Sequence, residues 1–293
     1  MQISLRSYPK QEEPLNETQS NAIDPALVTA ENYEKRVVTY TTSWFAAILL
    51  EHANPQPGEH VVDIACGTGI VARQTAPRVG TNGAVVAVDI NPAMLTVGRL
   101  LPTPEGAAIE WREGDAQALP LLDKTFDLAL CSAGLQFFPD RLAAVREMFR
   151  VLQPGGRLGV CVARSLDLNP ASHLLWGSIA RHLKTTPEKL TPAWSLGNAE
   201  VFRNLLESGG FADVALFSCS GIVREPRNPQ LIAVMLASLP SNVVPAFATM
   251  GREERNSLAH AVEREIGPGL QRYAEGDEQL YPMSFQVAMA YKH

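Results

Sequence analysis

Two hydrophobic periods alternate along the first half of this chain. Short apolar runs at about 60–64, 84–89, 107–112, 126–131 and 157–163 read as buried strands, and segments with apolar residues every three or four positions, at about 69–79, 92–100 and 140–152, read as helices packed on one face. Asp140 is placed to cap the third helix, whose inward stripe is Leu142, Val145, Met148, Phe149 and Leu152. Gln153-Pro154-Gly155-Gly156 then turns the chain into the fifth strand. Residues 26–53 also read as helical, with Trp44, Ile48, Leu49 and Leu50 as the apolar stripe and Pro55-Gln56-Pro57-Gly58 as the stop. Residues 1–25 are polar, carry Pro9 and Pro14, and read as a tail. Strands alternating with helices imply a parallel sheet covered on both faces.

The alternation breaks after residue 163. Residues 164–197 hold prolines at 170, 187 and 192 and the aromatics Trp176 and Trp194. Asn198 opens a helix with Val201, Phe202, Leu205 and Leu206 facing inward, closed by Gly209-Gly210. Val214 to Val223 reads as a sixth strand. Residues 229–270 read as helical, opened by Asn228-Pro229, with a stripe at Leu258, Ala261, Val262 and Ile266. Ser284 to Tyr291 alternates as a last strand. The expected organisation is one domain over 26–293, with helical insertions at about 164–197 and 229–280 that together lid a pocket.

Composition narrows the function classes. The 293 residues are 46% hydrophobic, enough for a large core, and the net charge of −6 argues against a nucleic-acid partner. Cysteines 66, 131, 161 and 219 lie far apart, so neither zinc spacing nor a disulfide framework is expected, and no metal is called for. No 18-residue apolar stretch implies a membrane span. A reducing cytoplasm is the expected setting.

The chemistry concentrates at Val61-Val62-Asp63-Ile64-Ala65-Cys66-Gly67-Thr68-Gly69-Ile70: a strand ending in an acid, a Gly-x-Gly turn, and a helix start. Gly67-x-Gly69-x-x-Ala72, with Asp89 twenty residues on, also fits a dinucleotide fingerprint. Two acids separate the readings. Asp63 would repel a pyrophosphate but suits an ammonium group. Asp115, beside the Ala116 N–H, suits the amino edge of adenine.

With Val85–Leu95, Gly114–Pro120, Phe126–Cys131 and Leu152–Leu158 following in order, the chain resembles the class I S-adenosylmethionine (SAM) dependent methyltransferases, in the group similar to the ubiquinone/menaquinone biosynthesis enzymes. The resemblance covers roughly residues 30–165 and thins beyond to a general layout. It implies a Rossmann-like, seven-stranded, mostly parallel α/β sheet whose last strand runs antiparallel between strands five and six. It implies SAM as cofactor, with Asp89 on the ribose hydroxyls, Ile90 and Met94 about the adenine, Asp115 and Ala116 on its edge, and Gly67, Gly69 and Asp63 at the methionine end. Ser132 and Gln136 follow strand four near the sulfonium, and Tyr33 and Tyr40 resemble aromatics that cover the methionine end.

The implied function is methyl transfer to a small organic acceptor, at oxygen or carbon before nitrogen. A base is required only for a weakly acidic acceptor. His173, His182 and Tyr33 are the candidates, with His260 behind them. Trp176, Trp194, Phe247 and Tyr281 are candidates for an aromatic acceptor pocket. Two alternatives stand beside this reading: a SAM-fold protein that binds the cofactor without methylating, and an NAD-dependent oxidoreductase.

Overall fold

The computed structural model describes residues 24–228, 232, 233, 236 and 244–293. Of the tail expected over 1–25, residues 1–23 lie outside the described residues, as does the expected helix start at Pro229, while Asp24 and Pro25 form the cap and the first residue of the first helix. Asp24 caps α1 (Pro25–Tyr33) by accepting the Ala26 N–H at 2.9 Å. The chain then widens into a π-helix over Glu34–Thr42 and narrows again into α2 (Ser43–Ala53). The core follows as β1 (His60–Ile64), α3 (Ile70–Val79), β2 (Ala84–Asp89), α4 (Pro92–Leu100), β3 (Ile109–Glu113), β4 (Phe126–Ser132), α5 (Arg141–Val151) and β5 (Leu152–Ala163). The insertion α6 (Pro170–His182) with the single-turn α7 (Pro187–Leu190) leads to α8 (Ala199–Ser208) and β6 (Ala212–Pro226). A second insertion ends in α9 (Arg252–Leu270), and β7 (Ala274–Glu275) turns back into β8 (Glu278–Tyr291).

The strand order is β3-β2-β1-β4-β5-β8-β6, with the two-residue β7 paired to β8. β1 through β5 are parallel, and β8 runs antiparallel between β5 and β6, as the sequence implies. The order reverses between β1 and β4, so the crevice at their carboxyl ends is the switch point where such sheets bind ligands. One sheet face is sealed by α5 and α8 through Val145, Met148, Phe202 and Leu206. The other is sealed by α2 and α3 through Leu49, Leu50, Ala72 and Ala76. A separate apolar core joins the insertions, packing Trp176 and Ile179 of α6 against Val262 and Ile266 of α9.

Four local expectations shift. β3 begins at Ile109 because Gly106 and Ala107 dock on α3, where the Ala107 N–H donates to the Ala76 carbonyl at 3.0 Å. Residues 153–156 are absorbed into β5, held by an exchange with Lys292: Gly155 N to Lys292 O at 2.7 Å and Lys292 N to Gly156 O at 2.9 Å. Val201 is 51% exposed, since α8 turns Phe202 and Leu206 to the core instead. β6 outruns its expected bounds because β8 pairs with it far beyond the end of β5. Ala163 of β5 pairs with Phe285, whereas β6 continues to the Pro226↔Glu278 pair. The surplus of β6 and β8 is a two-stranded arm projecting past the carboxyl ends of the parallel strands. No described helix is long and apolar enough to cross a membrane.

Candidate functional site

The loop after β1 is built on left-handed backbone. Gly67 (φ 56°) and Gly69 (φ 82°) supply it cheaply, but so does Ala65 (φ 55°), and Ala133 (φ 55°) repeats the conformation after β4. A non-glycine residue held there costs on the order of 1–3 kcal/mol and is characteristic of functional loops. The two loops touch: a Cβ built on Gly134 would lie 2.8 Å from the Ala65 Cβ. The strained pair therefore brackets the switch-point crevice.

Two acids support the glycine loop from neighbouring strands. The Asp63 carboxylate, 1% exposed, accepts the Ala72 N–H at 3.0 Å and so caps the first turn of α3. Burial pushes its carboxyl up to about 8, against the Ala72 hydrogen bond and helped by the charge of Asp89. Asp89, at the tip of β2, accepts the Gly67 N–H at 2.7 Å through Oδ2 and the Asn91 N–H at 2.9 Å through Oδ1. Burial raises this carboxyl too, with the backbone N–H groups of Asn91, Gly67 and Ile90 opposing. Asp89 pairs with Glu113 in the β2–β3 register, which brings Asp115 two residues past the tip of the next strand. Asp115 accepts the Gln117 N–H at 2.8 Å, and Ala116 is buried beside it. The three acids thus stand at the ends of adjacent strands.

The other expected residues separate into two groups. Ser132 Oγ and Gln136 Oε1 are buried polar atoms with no partner, while Gln136 Nε2 donates to the Ala133 carbonyl at 3.2 Å. Orphaned polar atoms at a strand end are what a bound polar ligand would satisfy. Tyr33 lies over the loop, its ring edge 3.6 Å from where a Gly67 Cβ would be. Burial pushes its phenol up to about 12, which disfavours it as a base near neutrality. Tyr40 is half-buried two turns further along the π-helix. By contrast, Met94 is buried in the contact between α1 and α4, and Ile90 is 62% exposed. At Gly69 a Cβ would meet the Trp111 ring at 2.2 Å, so packing alone already demands glycine there.

Glu34, Thr68 and Arg73 escape the sequence reading. The Glu34 carboxylate accepts Arg73 Nη2 at 2.9 Å and also the Thr68 hydroxyl, while Arg73 Nη1 donates to the Thr68 carbonyl. This triad latches the π-helix onto the glycine loop across 39 residues of sequence. No local pattern signals it, since Glu34-Lys35-Arg36 reads as a solvated run. Glu34→Ala would leave the buried Arg73 charge unpaired, an effect of about 3 kcal/mol. A correspondingly lower urea midpoint with an unchanged slope is expected; an unchanged midpoint would show that the latch contributes nothing.

A cavity of ≈ 240 Å³ lies between the π-helix, α6, α9 and the β6–β8 arm. Trp176, Trp194 and Tyr281 line it as expected, with Arg36, Glu225 and Met283. Phe247 does not; it is fully buried in the core between the insertions. His173 and His260 are exposed and outside the cavity lining, and His182 sits on the outer surface 3.0 Å from Glu265. The cavity adjoins the glycine loop through one helix. Tyr33 and Glu34 touch the loop, and Arg36 and Val37, one turn on, line the cavity.

Residues 37–174 match the ubiE/COQ5 methyltransferase family. Over that segment the chain is similar to the class I SAM-dependent methyltransferases. It is 46% identical over 110 residues to the ubiquinone/menaquinone biosynthesis C-methyltransferase UbiE of Xanthomonas campestris, covering 37% of this chain and 44% of that one. The UbiE of Stenotrophomonas maltophilia is 44% identical over the same shares. The chain therefore spans less than half the length of the curated relatives it matches. Among solved structures, a methyltransferase-like protein from Bacillus halodurans superposes with TM-score 0.53 at 21% identity, over 84% of this chain and 98% of that one. Phosphoethanolamine N-methyltransferase 2 of Haemonchus contortus, in complex with SAM, superposes with TM-score 0.52 at 16% identity, over 94% and 58%. At these identities the superpositions speak for the fold alone. The family match takes in the glycine loop and β1–β5 but stops in α6, so the cavity walls from β6, β8 and α9 lie outside it, as do Tyr33 and Glu34.

Proposed function

We propose that this chain transfers a methyl group from SAM to a small organic acceptor, at oxygen or carbon in preference to nitrogen. The observation that carries the reading is the juxtaposition of three strand-tip acids and two orphaned polar atoms with an aromatic-walled cavity one helical turn away. Asp89 is assigned to the ribose hydroxyls, Asp115 with the Ala116 N–H to the adenine edge, and Ile90, exposed at the rim, to the adenine face. Met94 supports that wall from beneath. Gly67, with Asp63 under the loop and Tyr33 and Tyr40 above it, is assigned to the amino-acid end, and Gly69 keeps the loop close on Trp111. Ser132 and Gln136 are assigned to the side nearest the acceptor.

When bound, SAM supplies an electrophilic methyl on a sulfonium that leaves as a neutral thioether, so no side chain needs to protonate the leaving group. The protein's task is to align the acceptor in line and exclude water, and positioning of this kind lowers a barrier by roughly 7–11 kcal/mol. The π-helix, latched to the loop and lining the cavity, is the element that fixes one site against the other. Its setting is proposed to be the reducing cytoplasm, in keeping with four free cysteines. Nucleic acid is not the proposed partner, given the net charge of −6.

Supplying methyl-labelled SAM with fractionated small metabolites, and following the label by mass spectrometry, tests the reading. One or more products carrying the labelled methyl are expected. Tight S-adenosylhomocysteine binding with no labelled product would favour a non-methylating SAM-fold protein, and NADH binding at the loop would favour an oxidoreductase.

A further inference from the structure

We propose that Glu225 is the proton acceptor for a neutral, ring-bearing hydroxyl compound that occupies the cavity between α6, α9 and the β6–β8 arm. The inference rests on the methyl-transfer reading and adds the class of the acceptor and the group that takes its proton.

Shape argues for a ring. The walls are the indoles of Trp176 and Trp194, the phenol ring of Tyr281, and aliphatic side chains including Leu175, Ile266 and Met283. Flat aromatic walls favour a flat apolar ligand. The polar inventory argues for a hydroxyl with a second oxygen nearby. Trp194 Nε1 is buried without a partner and can only donate, so it awaits an acceptor oxygen. Glu225 presents a carboxylate from β6.

Charge argues for a neutral ligand. The ionisable side chains lining the cavity are Arg36 from the π-helix, Glu225 from β6 and Tyr281 from β8. The residues contributed by α6 and α9 are apolar or hydroxylic. Arg36 and Glu225 offset one another. Burial pushes the Glu225 carboxyl up to about 7, against the attraction of Arg36. Burial and the Glu225 charge both hold the Tyr281 phenol protonated, and its hydroxyl pairs with Gln279 Oε1 at 2.6 Å. Glu225 is therefore the one of the three whose charge changes near neutrality, where a general base is most effective. Its position fits the task, because the arm that carries it projects past the carboxyl ends of the strands on which the cofactor site stands.

The step balances without a further reagent. The acceptor O–H bond breaks toward the Glu225 carboxylate as the oxygen bonds the methyl carbon. The electron pair of the broken S–CH₃ bond stays on sulfur, giving a methyl ether and a thioether. The Glu225 proton returns to solvent after product leaves.

4-Nitrophenol, whose neutral and anionic forms absorb at different wavelengths, is a direct probe. It is titrated across the neutral range into the full chain saturated with S-adenosylhomocysteine, with quenching of tryptophan fluorescence reporting occupancy. In the wild type the bound dye is expected to stay neutral to a higher pH than free dye, because ionised Glu225 repels the phenolate and accepts a hydrogen bond from the neutral hydroxyl. In Glu225→Gln, an isosteric change, the bound dye is expected to ionise at a lower pH than free dye, under Arg36 alone. Glu225→Asp should restore the upward shift in part, and Arg36→Met should enlarge it. Absence of dye binding, or the same protonation state in wild type and Glu225→Gln, overturns the proposal. Failure of S-adenosylhomocysteine to bind, measured separately by calorimetry, would instead overturn the methyl-transfer reading beneath it.

Discussion

Asp89→Ala is expected to weaken S-adenosylhomocysteine binding by about 10²–10⁴-fold, with the folded state retained. The proposed role of Asp89 gives it two charge-assisted hydrogen bonds to the ribose, worth roughly 1.5–3 kcal/mol each. At about 1.4 kcal/mol per tenfold in affinity, their loss spans that range. The same carboxylate also accepts the Gly67 and Asn91 N–H groups, so the variant loosens the glycine loop and adds to the loss. Isothermal calorimetry on the variant, with far-ultraviolet circular dichroism as the folding control, reads the effect. A variant that binds as tightly as the wild type removes Asp89 from the cofactor site.

Gly69→Ala is expected to be the most damaging single-methyl change in the loop. It adds a Cβ to a residue at φ 82° and drives that atom to 2.2 Å from the Trp111 ring, which is already wedged against Gly98. A left-handed alanine costs about 1 kcal/mol, and overpacking a filled site typically adds 1–3, so a loss of about 2–4 kcal/mol is expected. Gly58 separates the two contributions. It has φ 87° but nothing within 4 Å of its Cβ position, so Gly58→Ala should lose only the conformational part, about 1 kcal/mol. Urea unfolding of both variants compares them directly. Equal losses would mean that Trp111 moves aside freely and that Gly69 serves the backbone alone.

The legible and hidden parts of this molecule differ in the range of the interactions that define them. The alternation of strands and helices and the glycine turn are local, so periodicity and turn chemistry located β1, β2, β4, α3, α4 and α5 almost to the residue. The antiparallel place of β8 followed from family resemblance, since no pattern in residues 284–291 reveals which strand it will join. Gly69 shows what a local reading leaves out. A glycine before a helix suggests approach of a ligand to the backbone, and the structure adds a packing demand, since the occupant of its Cβ space is Trp111, from a strand 42 residues on. The Glu34–Thr68–Arg73 latch and the Glu225 carboxylate were invisible for the same reason. Glu34 sits in a charged run, and Glu225 follows Arg224 at the end of a strand, so both read as solvated surface. Only the π-helix and the β6–β8 arm bring them inward. The aromatic cavity fell between these cases: Trp176, Trp194 and Tyr281 were identifiable as candidates by type, and only the packing of the insertions sets Phe247 apart from them.

This division has a functional counterpart. The segment that resembles known methyltransferases carries the glycine loop and the strand-tip acids, while the cavity walls come mostly from residues beyond it. Most of the proposed cofactor machinery thus lies inside the matched segment, and the proposed acceptor chemistry, centred on Glu225, lies outside it.

A crystal structure of the full chain soaked with S-adenosylhomocysteine tests the central claim most directly. The account predicts the ribose hydroxyls on Asp89, the adenine between Ile90 and Asp115, and the sulfur directed from the glycine loop toward the Trp176–Trp194 cavity. A nucleoside bound elsewhere, or a sulfur turned away from that cavity, would contradict it.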